Sequence, residues 1–180
     1  MGRRQTIDRG ALLDAAERVV LRDGAAHLTI DAVAAEAGVS KGGVLYAFAS
    51  KDALIDAMLA RVYAAFDRIA DDYLEKAGDT PVNRVRAHVE ASRTADPDAS
   101  DRAVVLMASF MRSPKYREGA LEYYRGLIDR LDTTTPAGRQ ARVALLATEG
   151  AAMLRGCGFY PFSQDEWDEI HQDVITKLLS

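Results

Sequence analysis

The 180-residue sequence predicts an all-α fold in which a small N-terminal part precedes a larger helical body. Apolar residues recur at helical spacing along most of the chain, and no stretch alternates in the manner of a β-strand. At residues 80–81, 113–114 and 135–136, a serine or threonine is followed by a proline. Each pair places a capping hydroxyl before a proline at the first helical position. Near the N-terminus, two short helical segments joined at Gly38 precede one long amphipathic segment.

We predict nine helices, and their residues are 6–23, 29–36, 40–48, 50–77, 80–94, 101–112, 114–132, 136–157 and 163–179. The segment from Asp96 to Ser100 is predicted as a loop. At the last helix, Ser163 and Glu166 form a capping-box pair, and Phe162 can pack on Trp167 as a hydrophobic staple. The domain boundary is placed at the start of the long fourth helix, giving domains at residues 1–51 and 52–180.

The charge distribution limits where a nucleic acid could bind. The net charge is −4, but residues 1–51 carry seven basic and six acidic side chains, whereas residues 52–180 carry 16 and 21. An acidic body repels phosphate, so any DNA contact is expected in the first domain. Arg3 and Arg4 could form an arm that reaches DNA or a solubilising terminus, and both interpretations stay open.

Composition argues for a globular, cytoplasmic protein. Hydrophobic residues make up 48% of the chain and charged residues 28%. No apolar run approaches the roughly 20 residues that cross a bilayer, and the N-terminus does not resemble a signal peptide, so we expect no membrane association. The single cysteine, Cys157, excludes an intrachain disulfide and suits a reducing compartment.

Residues 29–51 have the pattern of a helix-turn-helix. Two short helices that cross steeply need a small residue at the crossing, a turn residue tolerant of positive φ, and an apolar plug on the second helix. Ala34, Gly38 and Val44 occupy these three positions. Thr29 and Ser40 are the expected N-caps, each contributing about 1 kcal/mol.

This stretch resembles the head of the TetR/AcrR family of regulators. The matching segments are Ala37-Gly-Val-Ser-Lys-Gly42 and Phe48-Ala-Ser-Lys-Asp-Ala-Leu54, and the resemblance covers residues 6–60. Beyond them, the chain agrees with the family only in length and helix number. The resemblance implies a homodimer that binds a palindromic double-stranded DNA operator through its heads, most often as a repressor. It also implies a body that dimerises and responds to a small, mainly apolar effector.

The resemblance also implies the DNA-binding residues, which are Thr29, Ser40, Lys41, Gly42, Gly43, Tyr46 and Lys51. The chain departs from the family at Leu45, where Tyr is common, and at Ala47, where His is common; the aromatic follows one position later. Two consecutive glycines cost the recognition helix roughly 1 kcal/mol each, and a close approach of its backbone to the groove would compensate. Few side chains remain to read bases, and Lys41 can reach guanine acceptors.

Candidate effector-binding residues lie in the body, and they are Met107, Phe110, Met111, Tyr124, Glu149 and Met153. Methionine and aromatic side chains adapt to varied apolar ligands, although ordinary core packing is an alternative for each. Glu149 and Arg155 interrupt an apolar helix and could anchor a ligand, form an interface ion pair or face solvent. Small residues on the same helix, at positions 144, 147, 151 and 152, would allow close approach of a dimer partner.

Catalysis has little support in the sequence. His27, His88 and His171 lack metal-ligand spacing, and Cys157 has no histidine nearby in sequence. We therefore expect no catalytic residues, no metal site and no cofactor. Two alternatives to an effector-released repressor stay open: a regulator that lacks an effector or activates, and a protein-interaction module with a vestigial head.

Overall fold

The computed structural model describes residues 8–111 and 113–180, and these fold entirely into helices, turns and loops. Their α-helices are α1 (Arg9–Asp23), α2 (Ile30–Ala37), α3 (Lys41–Ala47), α4 (Lys51–Ala77), α5 (Pro81–Thr94), α6 (Pro97–Phe110), α7 (Pro114–Ile128), α8 (Pro136–Gly156) and α9 (Gln164–Leu178). A short 3₁₀ turn, Ala25–His27, follows α1 and was not predicted. The all-α prediction is confirmed, and residues 6 and 7 of the predicted first helix lie outside the described part.

Side-chain caps explain most helix starts. Thr80 and Thr135 accept hydrogen bonds from the backbone N–H groups of Asn83 at 3.2 Å and Gly138 at 3.1 Å. The predicted capping box is present, because the Ser163 N–H donates to the Glu166 carboxylate at 2.8 Å and the Glu166 N–H donates to Ser163 Oγ at 3.2 Å. Each bond satisfies a backbone donor that the first helical turn leaves without a partner.

The predicted loop at residues 96–100 is wrong. Helix α6 begins at Pro97, and the Asp96 carboxylate caps it by accepting from the Ala99 N–H at 2.9 Å. A Ser-Pro or Thr-Pro pair precedes or begins α5, α7 and α8, and Asp-Pro is the same signal with a carboxylate as the cap. The sequence therefore already indicated where this helix begins. At its other end, α7 stops at Ile128, four residues earlier than its predicted end at 132.

The chain divides into two compact units, and the division lies within α4, between Val62 and Tyr63. The first unit contains α1 to α3 and the beginning of α4. Its core consists of fully or nearly fully buried apolar side chains, including Leu12, Ala16, Val19, Leu28, Val33, Val44, Phe48, Leu54 and Met58.

The second unit contains the rest of α4 and helices α5 to α9. Its main core cluster joins α5, the end of α7 with the turn that follows, α8 and the end of α9, through Val85, Val89, Leu127, Leu131, Ala141, Ala144, Leu145, Val174, Ile175 and Leu179. None of the helices in the described residues is long and apolar enough to cross a membrane.

A buried polar network joins α5 and α9 in this unit. His171 Nδ1–H donates to the Trp167 carbonyl at 2.7 Å, and Ser92 donates its hydroxyl to His171 Nε2 at 3.1 Å. The guanidinium of Arg155 stacks 3.5 Å from the centre of the Trp167 ring and pairs with Asp101 at 2.7 Å. Arg155, for which the sequence left three roles open, therefore has a structural partner on α6.

Candidate functional site

The helix-turn-helix geometry is present in the first unit. Gly38 ends α2 in the left-handed region, at φ 67° and ψ 30°, where a β-carbon would be strained. The Val39 N–H then donates to the Ala34 carbonyl at 3.0 Å, which closes the turn. Ala34 and Val44 are buried where the two helices cross. Ala34, Gly38 and Val44 are therefore the small residue, the turn residue and the apolar plug, as the sequence predicts.

Both predicted caps are formed at the ends of the two short helices. The Thr29 hydroxyl accepts from the Ala32 N–H at 3.0 Å, and the Ser40 hydroxyl accepts from the Gly43 N–H at 3.1 Å. Thr29 and Ser40 are exposed. Because each hydroxyl acts as an acceptor in its cap, its own proton stays available for an acceptor such as a phosphate oxygen.

Helix α3 presents a small but prominent surface. Tyr46 is 87% exposed and Leu45 is 40% exposed, so two large side chains project from a seven-residue helix. A β-carbon at Gly42 would meet only Ser40 Oγ, at an ordinary 3.9 Å. The packing of the protein itself therefore does not require glycine at this position, which lies on the exposed side of the helix.

Lys41, predicted to contact bases, is paired with the preceding helix. Its Nζ lies 2.9 Å from Asp31 Oδ2, and both side chains are largely exposed, at 58% and 68%. An exposed pair of this kind is worth about 0.2–1 kcal/mol, so it can be exchanged for a contact with DNA. Lys51, at the start of α4, is half-buried.

Several basic residues of the head hold its helices together, which sequence reasoning missed. Arg9 donates to the Ala47 carbonyl at the end of α3, and its guanidinium lies 4.3 Å from the centre of the Phe48 ring. Arg9 therefore positions the end of the exposed helix. Arg3 and Arg4 lie outside the described residues.

Two further groups of arginines in the head form ion pairs with carboxylates of the head itself. Arg18 and Arg22, one turn apart on α1, bind the two oxygens of Glu36 at 2.8 and 2.7 Å. Arg61 of α4 pairs with Asp14 at 2.7 Å and also with Glu17. The i, i+4 spacing of the first two arginines was a visible signal, whereas the partner of Arg61 lies too far along the chain to be read from spacing.

A polar and aromatic cluster lies in the second unit around His88 and Glu149. His88 Nε2 is 2.7 Å from Glu149 Oε1, and His88 Nδ1 is 2.8 Å from the Tyr123 hydroxyl. The Tyr124 hydroxyl also hydrogen-bonds to the Glu149 carboxylate. On α4, the Phe66 ring lies 5.0 Å from the His88 ring.

The electrostatics of this cluster favour an ionised carboxylate among neutral phenols. Burial raises the pKa of Glu149, but the hydrogen bond and electrostatic attraction from His88, together with the hydrogen bond from Tyr124, outweigh this effect and bring the pKa below its ordinary value. Burial, reinforced by the Glu149 charge, raises the pKa of Tyr123 and Tyr124 far above the ordinary value. Burial and the nearby Asp67 charge also raise the pKa of Tyr63.

The structure brings together two of the predicted effector residues, Tyr124 and Glu149. Phe110 is buried and packs edge-on against Tyr116, with ring centres 5.8 Å apart. Met107 and Met111 are half-buried at the end of α6. His88, Tyr123, Phe66 and Tyr63 were not predicted as site residues, because nothing in their local spacing marks a contact with Glu149.

Met153, the remaining predicted effector residue, lies on the outer face of α8 and is 49% exposed. This outer face carries Val143, Leu146, Ala147, Gly150 and Met153, all exposed in the protomer. The expectation for the small residues is partly wrong, because Ala144 and Ala151 are buried inside the protomer. At 100° per residue, positions 144, 148 and 151 share the inner face, and 143, 147 and 150 share the outer one.

Comparison with known proteins agrees with this architecture. The family described as "Bacterial regulatory proteins, tetR family" matches residues 12–58, and "Tetracyclin repressor-like, C-terminal domain" matches residues 82–178. The chain is 31% identical over 159 residues to the HTH-type transcriptional regulator BetI of Rhizobium meliloti (strain 1021), covering 83% of this chain and 75% of that protein.

Solved structures show the same fold. The multidrug binding protein EbrR, complexed with malachite green, aligns with a TM-score of 0.66 at 26% identity, over 94% of this chain and 98% of that one. A transcriptional regulator from Aquifex aeolicus VF5 aligns with a TM-score of 0.71 at 15% identity, over 94% and 98% of the two chains. With both halves matched to one family and the helix-turn-helix formed, the chain belongs to the TetR family of DNA-binding transcriptional regulators.

Proposed function

We propose that the protein is a homodimeric repressor that binds a palindromic operator and is released by a small, mainly apolar effector. The observation that carries the DNA-binding part is α3. It begins at a formed cap, follows a turn fixed by Gly38, and presents Tyr46 at 87% exposure. The proposed DNA contacts are those expected from the sequence, made by Thr29, Ser40, Lys41, Gly42, Gly43, Tyr46 and Lys51.

The outer face of α8 supports the proposal of a homodimer. Leu146 is 60% exposed and Val143 is 50% exposed, and with Met153 they form an apolar stripe on a helix whose other face is already buried. An exposed stripe of this kind typically marks an interface. A two-fold dimer through α8 and α9 would present two heads to half-sites about 34–36 Å apart, one turn of DNA.

The polar and aromatic cluster around Glu149 supports an effector site in the second unit. Residues of α4 take part in it, since Phe66 contacts His88. Helix α4 also begins in the first unit, so a ligand that moves its second part could act on the head. EbrR, with the same fold, is described in complexes with malachite green and with ethidium. A ligand changes DNA affinity only if it binds the two states of the protein differently.

Selection of DNA tests the proposal directly. The full-length protein is incubated with random duplexes, and the bound fraction is amplified and sequenced through several rounds. We expect an inverted repeat with half-site centres about 10–10.5 base pairs apart, or a multiple of that spacing, because two-fold heads impose it. An enriched site without two-fold symmetry would contradict the dimeric arrangement, and no enrichment would contradict sequence-specific binding.

A further inference from the structure

We propose that the cluster around Glu149 binds a lipophilic organic cation whose charge is quaternary or delocalised. This aromatic cluster consists of Tyr63, Phe66, His88, Tyr123, Tyr124 and Glu149. This inference rests on the proposed effector function and specifies the class of effector.

The rings of the aromatic cluster form a continuous row. Phe66 lies 5.0 Å from His88, His88 lies 5.9 Å from Tyr123, and Tyr123 lies 5.3 Å from Tyr124, measured between ring centres. Phe66, Tyr123 and Tyr124 are each only half-buried, so part of each side chain stays accessible to solvent. The faces of such rings carry partial negative charge and attract cations at about 6 Å or less from the ring centre.

Glu149 supplies a full negative charge beside these rings. Its side chain keeps 35% of its exposure, although it takes part in two hydrogen bonds. His88 Nε2 faces this carboxylate at 2.7 Å and His88 Nδ1 lies 2.8 Å from the Tyr123 hydroxyl, so the imidazole ring bridges Glu149 and Tyr123.

Asp67 strengthens the negative character of this region. Its charge acts on Tyr63 and Tyr123, and the charge of Glu149 acts on Tyr123 and Tyr124. An anionic ligand would be repelled by both carboxylates. A neutral apolar ligand would displace water from the half-buried Glu149 carboxylate without offering a charge in return, which is unfavourable.

The existing hydrogen bonds indicate the kind of cation. A primary ammonium carries three donors that all need acceptors when it is desolvated. Glu149 and the hydroxyls of Tyr123 and Tyr124 already take part in hydrogen bonds within the cluster, and a primary ammonium would have to share or exchange them. A quaternary or delocalised cation needs no hydrogen bonds and can be stabilised by ring faces and one carboxylate, so it fits this cluster better.

A pair of isosteric probes tests the inference on the full-length protein. Phenyltrimethylammonium and tert-butylbenzene have the same shape and differ in charge. Calorimetric titration should show at least tenfold tighter binding of the cation. Glu149→Gln should weaken binding of the cation at least tenfold and change binding of the neutral probe less than twofold, and Glu118→Gln, on the exposed side of α7, should change neither. Phe66→Leu, which keeps an apolar side chain but removes the ring, should also weaken the cation.

The outcomes separate this inference from the proposed function. Equal affinity for the two probes, or no binding of the cation at millimolar concentration, would overturn the inference. This comparison uses the unaltered protein, so it does not depend on whether a variant folds. Operator affinity is measured in the same samples. If the cation binds selectively through Glu149 without changing operator affinity, the inference stands and the proposed effector release fails. If tert-butylbenzene binds as tightly as the cation and releases the operator, the release stands and the inference fails.

Discussion

Lys41 Nζ lies 2.9 Å from Asp31 Oδ2, so the first residue of α3 is paired with the helix that precedes it. DNA binding through Lys41 would have to exchange this ion pair for a contact with the nucleic acid. Asp31 also places a negative charge on the face that meets phosphate in our proposal.

Replacing Asp31 by Asn should therefore strengthen DNA binding. We expect a two- to fivefold gain in operator affinity, because an exposed ion pair of about 0.2–1 kcal/mol no longer competes and one repulsive charge is removed. Fluorescence anisotropy with labelled operator measures the change. The control Glu118→Gln removes one exposed charge from α7 in the second unit and should leave operator affinity unchanged. A loss of affinity in Asp31→Asn would show that the pair positions Lys41 for binding.

Gly42→Ala should separate stability from DNA binding. The new β-carbon meets only Ser40 Oγ at 3.9 Å, so the head should gain up to about 1 kcal/mol from helix propensity. Operator affinity should fall at least tenfold if the backbone of α3 approaches the groove closely at this point. Urea denaturation and operator titration measure the two effects.

Gly119→Ala is the matched control for that substitution. It lies in α7, and a β-carbon there meets nothing within 4 Å. It should affect stability in the same direction without changing DNA affinity. Unchanged operator binding by Gly42→Ala would contradict the close approach.

Leu146→Glu should weaken the dimer. The side chain is 60% exposed on the outer face of α8, and burying a carboxylate in an apolar interface without a partner is costly. Sedimentation velocity at micromolar concentration should show a shift toward monomer, accompanied by a loss of operator affinity. The control is Leu121→Glu, since Leu121 of α7 is 48% exposed and lies outside the proposed interface. This variant should remain dimeric. Equal behaviour of the two variants would argue against α8 as the interface.

The stability of the second unit should depend on pH through His171. Burial and the nearby charges of Arg155 and Arg93 lower the pKa of His171 below 6.5, despite the hydrogen bond to the Trp167 carbonyl. The unfolded chain then binds more protons than the folded one between the folded pKa and about 6.5, so stability rises with pH across that interval. Below the folded pKa the contribution is lost.

Thermal melts from pH 4.5 to 7.5 provide the measurement. In His171→Gln, whose side chain can still hydrogen-bond to Ser92, the melting temperature should change less with pH in the slightly acidic range. An identical pH dependence in the variant would exclude His171 as the source.

The features that sequence reasoning predicted correctly depend on neighbours close along the chain. The caps at Thr29 and Ser40, the left-handed Gly38 and the capping box at Ser163 each connect residues within a few positions, so their spacing specifies their geometry. The start of α6 has the same kind of signal at Asp96 and could have been recognised.

The features that escaped prediction are contacts between distant helices. Glu149 was singled out as a charge on an apolar helix, but its partner His88 lies on α5, and no local spacing connects the two. Arg61 likewise finds its carboxylates on α1. On α8, both faces are apolar, so the sequence could not show that Ala144 and Ala151 lie inside the protomer and Ala147 outside.

The most direct test of the central claim, that α3 recognises DNA, is the affinity of the Tyr46→Ala variant for the selected operator. Tyr46 is 87% exposed and supports no core, so the variant should keep the melting temperature of the unaltered protein. We predict at least a tenfold loss of operator affinity, with the control Leu121→Ala unchanged. Operator affinity of Tyr46→Ala within twofold of the unaltered protein would contradict the account.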